Sequence, residues 1–145
     1  MSTIKELRIA HQNIENSVEL NVGLFRTLLS LEKFNFSNEE IDSIGNFYVQ
    51  NFKCPEKYNT IIEELRSYFF AYCCTAFIKS NGGELVLDEN KRSISYGKSI
   101  IANYGGVGYP WVGISIDAWI KRLEEGRFKG KLSEAINRSL INKTE

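Results

Sequence analysis

From Tyr68 to Ile78 the sequence reads Tyr-Phe-Phe-Ala-Tyr-Cys-Cys-Thr-Ala-Phe-Ile, apolar or aromatic everywhere except Thr75. A helix through this stretch has no polar side to offer water, so it belongs inside a core. The run falls far short of the roughly 20 apolar residues that cross a bilayer. Charged and polar residues bracket it at Glu63, Glu64, Arg66, Lys79 and Asn81, which makes it a buried helix and not an anchor. Asn59 or Thr60 is positioned to cap its start, and Gly82 or Gly83 to close its end in a left-handed conformation. At about 1.5 Å per residue such a helix runs on the order of 30 Å, the width of a small domain.

After the glycine pair the period changes from helical to alternating. Leu85 and Leu87 lie on one side, with Glu84, Val86 and Asp88 on the other, which predicts a strand. The polar run from Asp88 to Arg92 predicts a hairpin turn. In the returning segment Ile94, Tyr96, Ile100, Ala102 and Tyr104 share one parity, and Ser93, Ser95, Gly97, Ser99, Ile101 and Asn103 the other. The expectation is a second strand whose apolar side covers the helix and whose serine side stays open. Gly105 to Pro110 is a loop by composition, and Trp111 to Ile116 predicts a third strand. Asp117 then caps a short helix ending at Gly126, and Leu132, Ile136 and Leu140 mark a last helix.

Upstream, Ile4, Leu7, His11, Ile14, Val18, Asn21, Phe25 and Leu28 recur at spacings of three and four, the mark of an amphipathic helix or helix pair. Gly23 inside it costs about 1 kcal/mol relative to alanine, so a bend or break near Asn21 to Gly23 is expected. Ser37 and Glu40 form a capping-box pattern, followed by one face of Ile41, Ile44, Tyr48 and Phe52. Pro55 stops that helix. The fold class is therefore α+β: a helical N-terminal half with a long central core helix on a small antiparallel sheet of about three strands, then short C-terminal helices. At 145 residues, with no repeat or clear linker, residues 1–145 read as a single domain.

The 18 basic and 18 acidic residues balance, which disfavours a protein built to neutralise nucleic-acid phosphates. The N-terminus mixes charges and shows no apolar signal segment. Cys54, Cys73 and Cys74 are an odd set with no disulfide framework, so a reducing, cytoplasmic setting is expected, with no membrane partner.

Candidate chemistry is sparse. His11 is the only histidine, sits on the inward stripe of the first helix pattern, and has no recognisable triad or zinc-spaced partners. Cys73 and Cys74 read as buried filler and Cys54, before Pro55, as the exposed thiol. The glycine loop lacks the third glycine of a dinucleotide fingerprint and the lysine of a phosphate loop, and it leads into a strand. The pairs Glu39–Glu40, Glu63–Glu64, Asp88–Glu89 and Glu124–Glu125 read as solvated surface. No cofactor, metal or catalytic set is expected, and so no enzyme. Tyr104, Tyr109 and Trp111, aromatic and next to flexible glycines, suit either a binding hot spot or a lid on the core.

The helix ending Gly82-Gly83, the strand Glu84-Leu-Val-Leu-Asp88, a second strand, a proline-containing loop and Ile116-Asp-Ala-Trp-Ile-Lys-Arg-Leu-Glu-Glu-Gly126 together resemble a group of small bacterial α+β proteins. Some of that group are immunity proteins encoded beside interbacterial toxins. The resemblance spans roughly Tyr68 to Leu140 as an order of elements. It implies an immunity or inhibitor protein that neutralises a cognate toxin by occlusion, either alone or as a homodimer. The partner surface expected on that reading comprises Ser93, Ser95, Ser99, Tyr104, Tyr109 and Trp111. The alternative is a small-ligand-binding or sensory domain with a pocket between the sheet and the core helix.

Overall fold

The computed structural model describes residues 2–104 and 113–143, with side chains through residue 137. In chain order come α1 (Ile4–Leu28), α2 (Asn38–Asn51), a 3-10 turn (Pro55–Tyr58), α3 (Ile62–Asn81), β1 (Glu84–Leu87), β2 (Ser99–Ala102), α4 (Ile116–Glu124) and α5 (Leu132–Lys143). The fold is α+β.

As its composition demands, α3 is the core. Leu65, Phe69, Tyr72 and Phe77 have no measurable exposure, and Ala71, Cys73, Cys74 and Ala76 are buried with them. Ile41, Ile44 and Tyr48 of α2, Trp119 and Ile120 of α4, and Leu132 and Ile136 of α5 close over α3 from different sides. Several of these contacts are aromatic: the Tyr48 ring stacks on Phe69 at 4.4 Å, and Phe77 meets Trp119 edge-on at 6.0 Å. The helix stops at the glycine pair. Gly82 takes φ +76 and its N–H donates to the Ile78 carbonyl at 2.7 Å, and Gly83 follows at φ +97. Only glycine takes such angles without strain.

The start of α3 differs from expectation. Ile61, extended and without a side-chain cap, precedes it, while Asn59 sits at φ +55 and closes the 3-10 turn that Pro55 opens. Asparagine tolerates that left-handed angle, so it serves the earlier turn. Ser37 does cap α2, accepting from the Glu40 N–H at 3.1 Å. Glu40 reaches back past the cap to the N–H groups of Asn35 and Phe36, both at 2.9 Å. Gly23 leaves α1 unbroken from Ile4 to Leu28; the cost of one glycine is small against 25 residues of helix with a capped start. That cap is a Thr3–Glu6 capping box.

The sheet is smaller than expected. Among the described residues it has two antiparallel strands, pairing Glu84 with Ala102, Leu85 with Ile101, Val86 with Ile100 and Leu87 with Ser99. Of the third strand expected over Trp111 to Ile116, residues 111 and 112 lie outside the described residues, and in the rest Ile114 makes one isolated bridge to Ile101, with bonds of 2.8 and 2.9 Å. Ser115 then caps α4 by accepting from the Ala118 N–H, so the chain turns into helix at once and Ile116 is already helical. Ser115, and not Asp117, is the cap.

The returning strand is also shorter. Residues 93–98 are taken up by turns in which Tyr96 N–H donates to Ser93 O, Lys98 N–H to Ser95 O and Gly97 N–H to Asp88 O. Extended structure begins only at Ser99, and all four residues of β2 are buried. Both parities of β2 are covered: Ile101, from the serine parity, has no exposure and belongs to the main core, Ile100 and Ala102 are buried as well, and Ile94, before the strand, is fully exposed. No open serine face forms on β2.

Candidate functional site

The long helix α1 is held at two ends. Near its start Leu7 lies against Gly97, where an added Cβ would meet Leu7 Cδ2 at 3.2 Å and where φ is +81. Next to it Arg8 pairs with Glu89 at 2.6 Å, and one turn on His11 Nδ1 lies 2.8 Å from Ser99 Oγ. Near its end Phe25, fully buried, is ringed by Phe34, Phe47, Tyr68 and Tyr72 at 6.0–6.3 Å between centroids. Between these two anchors α1 packs along α3, and a cleft of about 290 Å³ opens beside the seam.

One wall of the cleft is the α1 stripe of Ala10, His11, Ile14, Ser17, Val18 and Asn21. The other is Arg66, Ser67, Phe70 and Ala71 of α3, and Gly97, Lys98 and Ser99 with Asp117 close one end. Its lining is mainly hydrocarbon and ring. A concave, mostly apolar space with a few convergent polar groups is the usual form of a small-molecule site.

The charges at its rim are matched. Arg66 grips Glu124 through Nε at 3.0 Å and Nη2 at 2.8 Å, and the Tyr48 hydroxyl donates to the same carboxylate at 2.5 Å. Burial, then the hydrogen bond to Glu124 and the charge of Glu124, push the Tyr48 phenol above the ordinary tyrosine value. Lys98 Nζ lies 3.1 Å from Asp117. The Nε2 of His11 is 3.5 Å from Glu15, one turn along α1.

Ser99 and His11 thus form a hydroxyl–imidazole pair, but Ser99 is only 6% exposed. Burial of that hydroxyl suits a hydrogen bond that holds α1 to β2. A nucleophile needs a charge-stabilising pocket as well. Among the described residues no cluster of histidine, cysteine and carboxylate side chains could hold a metal ion. Cys73 and Cys74 are buried, and burial pushes both thiols up, away from the reactive thiolate form; Cys54 is exposed.

No family model, curated protein or solved structure matches this chain.

The residues expected on a partner surface lie in separate settings. Ser95 Oγ donates to Asp88 at 2.6 Å and lies 3.0 Å from Ser93 Oγ, so both serines brace the turn after β1. Although burial opposes it, hydrogen bonds from Ser93, Ser95 and the Asn90 N–H hold the Asp88 carboxyl below its ordinary value. Ser99 is buried beside His11. Tyr104 is half-buried with its ring 5.2 Å from Phe77, in the lid arrangement. Tyr109 and Trp111 lie outside the described residues.

Two carboxylates expected on the surface are engaged inside: Glu124 as above, and Glu40, which accepts from the Tyr72 hydroxyl at 2.8 Å. The α1 wall of the cleft was visible as the stripe through His11, Ile14, Val18 and Asn21. Nothing in sequence spacing joins it to Arg66, Phe70, Lys98 or Asp117.

Proposed function

We propose that this chain is a small-ligand-binding domain whose site is the cleft between α1 and α3, capped by the start of β2. The observation that carries the reading is the cleft along the α1–α3 seam. Between the contacts at Leu7–His11 and at Phe25, Ile14 and Val18 of α1 and Phe70 of α3 line it. Water in so apolar a space makes few hydrogen bonds, so a fitting apolar group gains by replacing it.

The test is a fragment screen read by amide chemical shifts. Hits should perturb Ile14, Val18, Phe70 and Ala71 together and leave the far side of α3, around Ala76 and Lys79, in place. A screen whose hits all map elsewhere would sink the reading.

A second reading, a toxin-neutralising immunity protein, draws support from one feature. Ile94 is fully exposed at a turn stiffened by Asp88, Ser93 and Ser95, and an ordered apolar tip suits a protein contact. On this reading Ile94→Asp weakens capture of a candidate toxin encoded by a neighbouring gene while the fold is unchanged; equal capture by both proteins would remove it.

A further inference from the structure

We infer that the ligand of the α1–α3 cleft is an uncharged molecule with a hydrocarbon or aromatic body and a single hydroxyl or carbonyl head. The inference rests on the cleft reading above and adds the chemical class. Each cation at the rim already has a carboxylate: Arg66 has Glu124 at 2.8 Å and Lys98 has Asp117 at 3.1 Å. A carboxylate or phosphate ligand meets cations whose charge is already matched, and the carboxylate beside each of them repels it, so an anion starts at a disadvantage. An amine meets the opposite problem, since Asp117 and Glu124 are occupied as well.

The free recognition chemistry is of a neutral kind. His11 and Ser99 offer an imidazole and a hydroxyl 2.8 Å apart. A hydroxyl has one donor and two acceptor positions, so Ser99 can keep its bond to His11 and still meet a ligand hydroxyl or carbonyl. Beyond them Ile14, Val18 and Phe70 present carbon, the hydroxyls of Ser17 and Ser67 donate to the carbonyls of Ile14 and Glu63 in their own helices, and Asn21 lies toward the Phe25 end. This arrangement sets a polar head at the β2 end and an apolar body along the helices.

Heptan-1-ol, heptanoate and heptylamine, which share a tail and differ in head group, test the class by titration followed by amide chemical shifts at neutral pH. Heptan-1-ol should bind saturably at the cleft, with heptanoate and heptylamine at least tenfold weaker. Val18→Trp, which fills the space, should abolish binding. Ile14→Phe, a smaller change, should weaken it several-fold, and it keeps the test alive if the tryptophan variant does not fold. Equal or tighter binding of heptanoate or heptylamine at the cleft overturns the chemical class while leaving the cleft reading intact. Absence of binding by all three, or binding that neither substitution alters, overturns the cleft reading as well.

Discussion

The two long helices of this protein have opposite relations to the core. In α3 most residues between Leu65 and Asn81 are buried, and polar partners secure its flanks: Arg66 to Glu124, Tyr72 to Glu40. In α1, five residues longer, Phe25 alone is fully buried, and Ile9 and Leu20 remain more than half exposed. α3 is enclosed by its neighbours, whereas α1 packs along α3 by one stripe and leaves the rest of its surface to solvent. The space for a ligand arises where the packing of α1 is incomplete. Ligand sites are commonly drawn from such lightly held elements.

The comparison makes graded expectations. Phe77→Ala removes a ring with no exposure from the densest part of the core and should cost about 3–5 kcal/mol; denaturant titration would show it as a lower midpoint, and a loss under 1 kcal/mol would mean that α3 is less tightly packed than described.

The buried tyrosines give the next effect. Burial, followed by the hydrogen bond and charge of Glu124 or Glu40, raises the Tyr48 and Tyr72 phenols above their usual 10.0. Above about pH 10 the unfolded chain loses those protons and the folded chain keeps them, so stability is full below that value and falls as pH rises. The slope is about 1.4 kcal/mol per pH unit for each tyrosine. Tyr48→Phe should remove its share of the slope, and stability curves for the two proteins that stay parallel from pH 9 to 11 would refute the assignment.

Disturbing α1 should cost less. Gly97→Ala places a Cβ at φ +81 against Leu7 and should destabilise by about 1–2 kcal/mol, with faster hydrogen exchange in residues 4–14. Smallest is His11→Ala, which removes the bond to Ser99 for about 1 kcal/mol. Exchange should again quicken in the first three turns of α1 and stay unchanged in α3. Faster exchange in both helices would show that they do not open independently.

Much of the helical half was legible in the sequence because helix signals are local. The greasy run from Tyr68 to Ile78, the Ser37 cap, Pro55 and the glycine pair at Gly82–Gly83 act within a few residues of themselves. The Thr3–Glu6 box could have been read in the same way. The sheet was legible less well. Ile94 and Tyr96 continue the alternating pattern of Ile100 and Ala102, yet Asp88 draws Ser93 and Ser95 into turns first, so alternation in sequence did not mean extension in space. The choice of face was equally non-local: His11 from one side and the core from the other bury all of β2, and parity cannot tell one covered face from two.

The sequence by itself determined that a buried helix would sit at the centre, where it would stop, and which stripe of α1 would turn inward, since composition and periodicity fix which surfaces must leave water. Tertiary structure alone decided that the stripe would be only partly covered. The fit of Leu7 against Gly97 and of Phe25 into its aromatic ring sets the distance between α1 and α3, and that distance depends on residues brought together from five separate segments. The matched pairs Arg66–Glu124 and Lys98–Asp117 are of the same kind, because charges far apart in the chain neutralise each other only once the fold has brought them within reach.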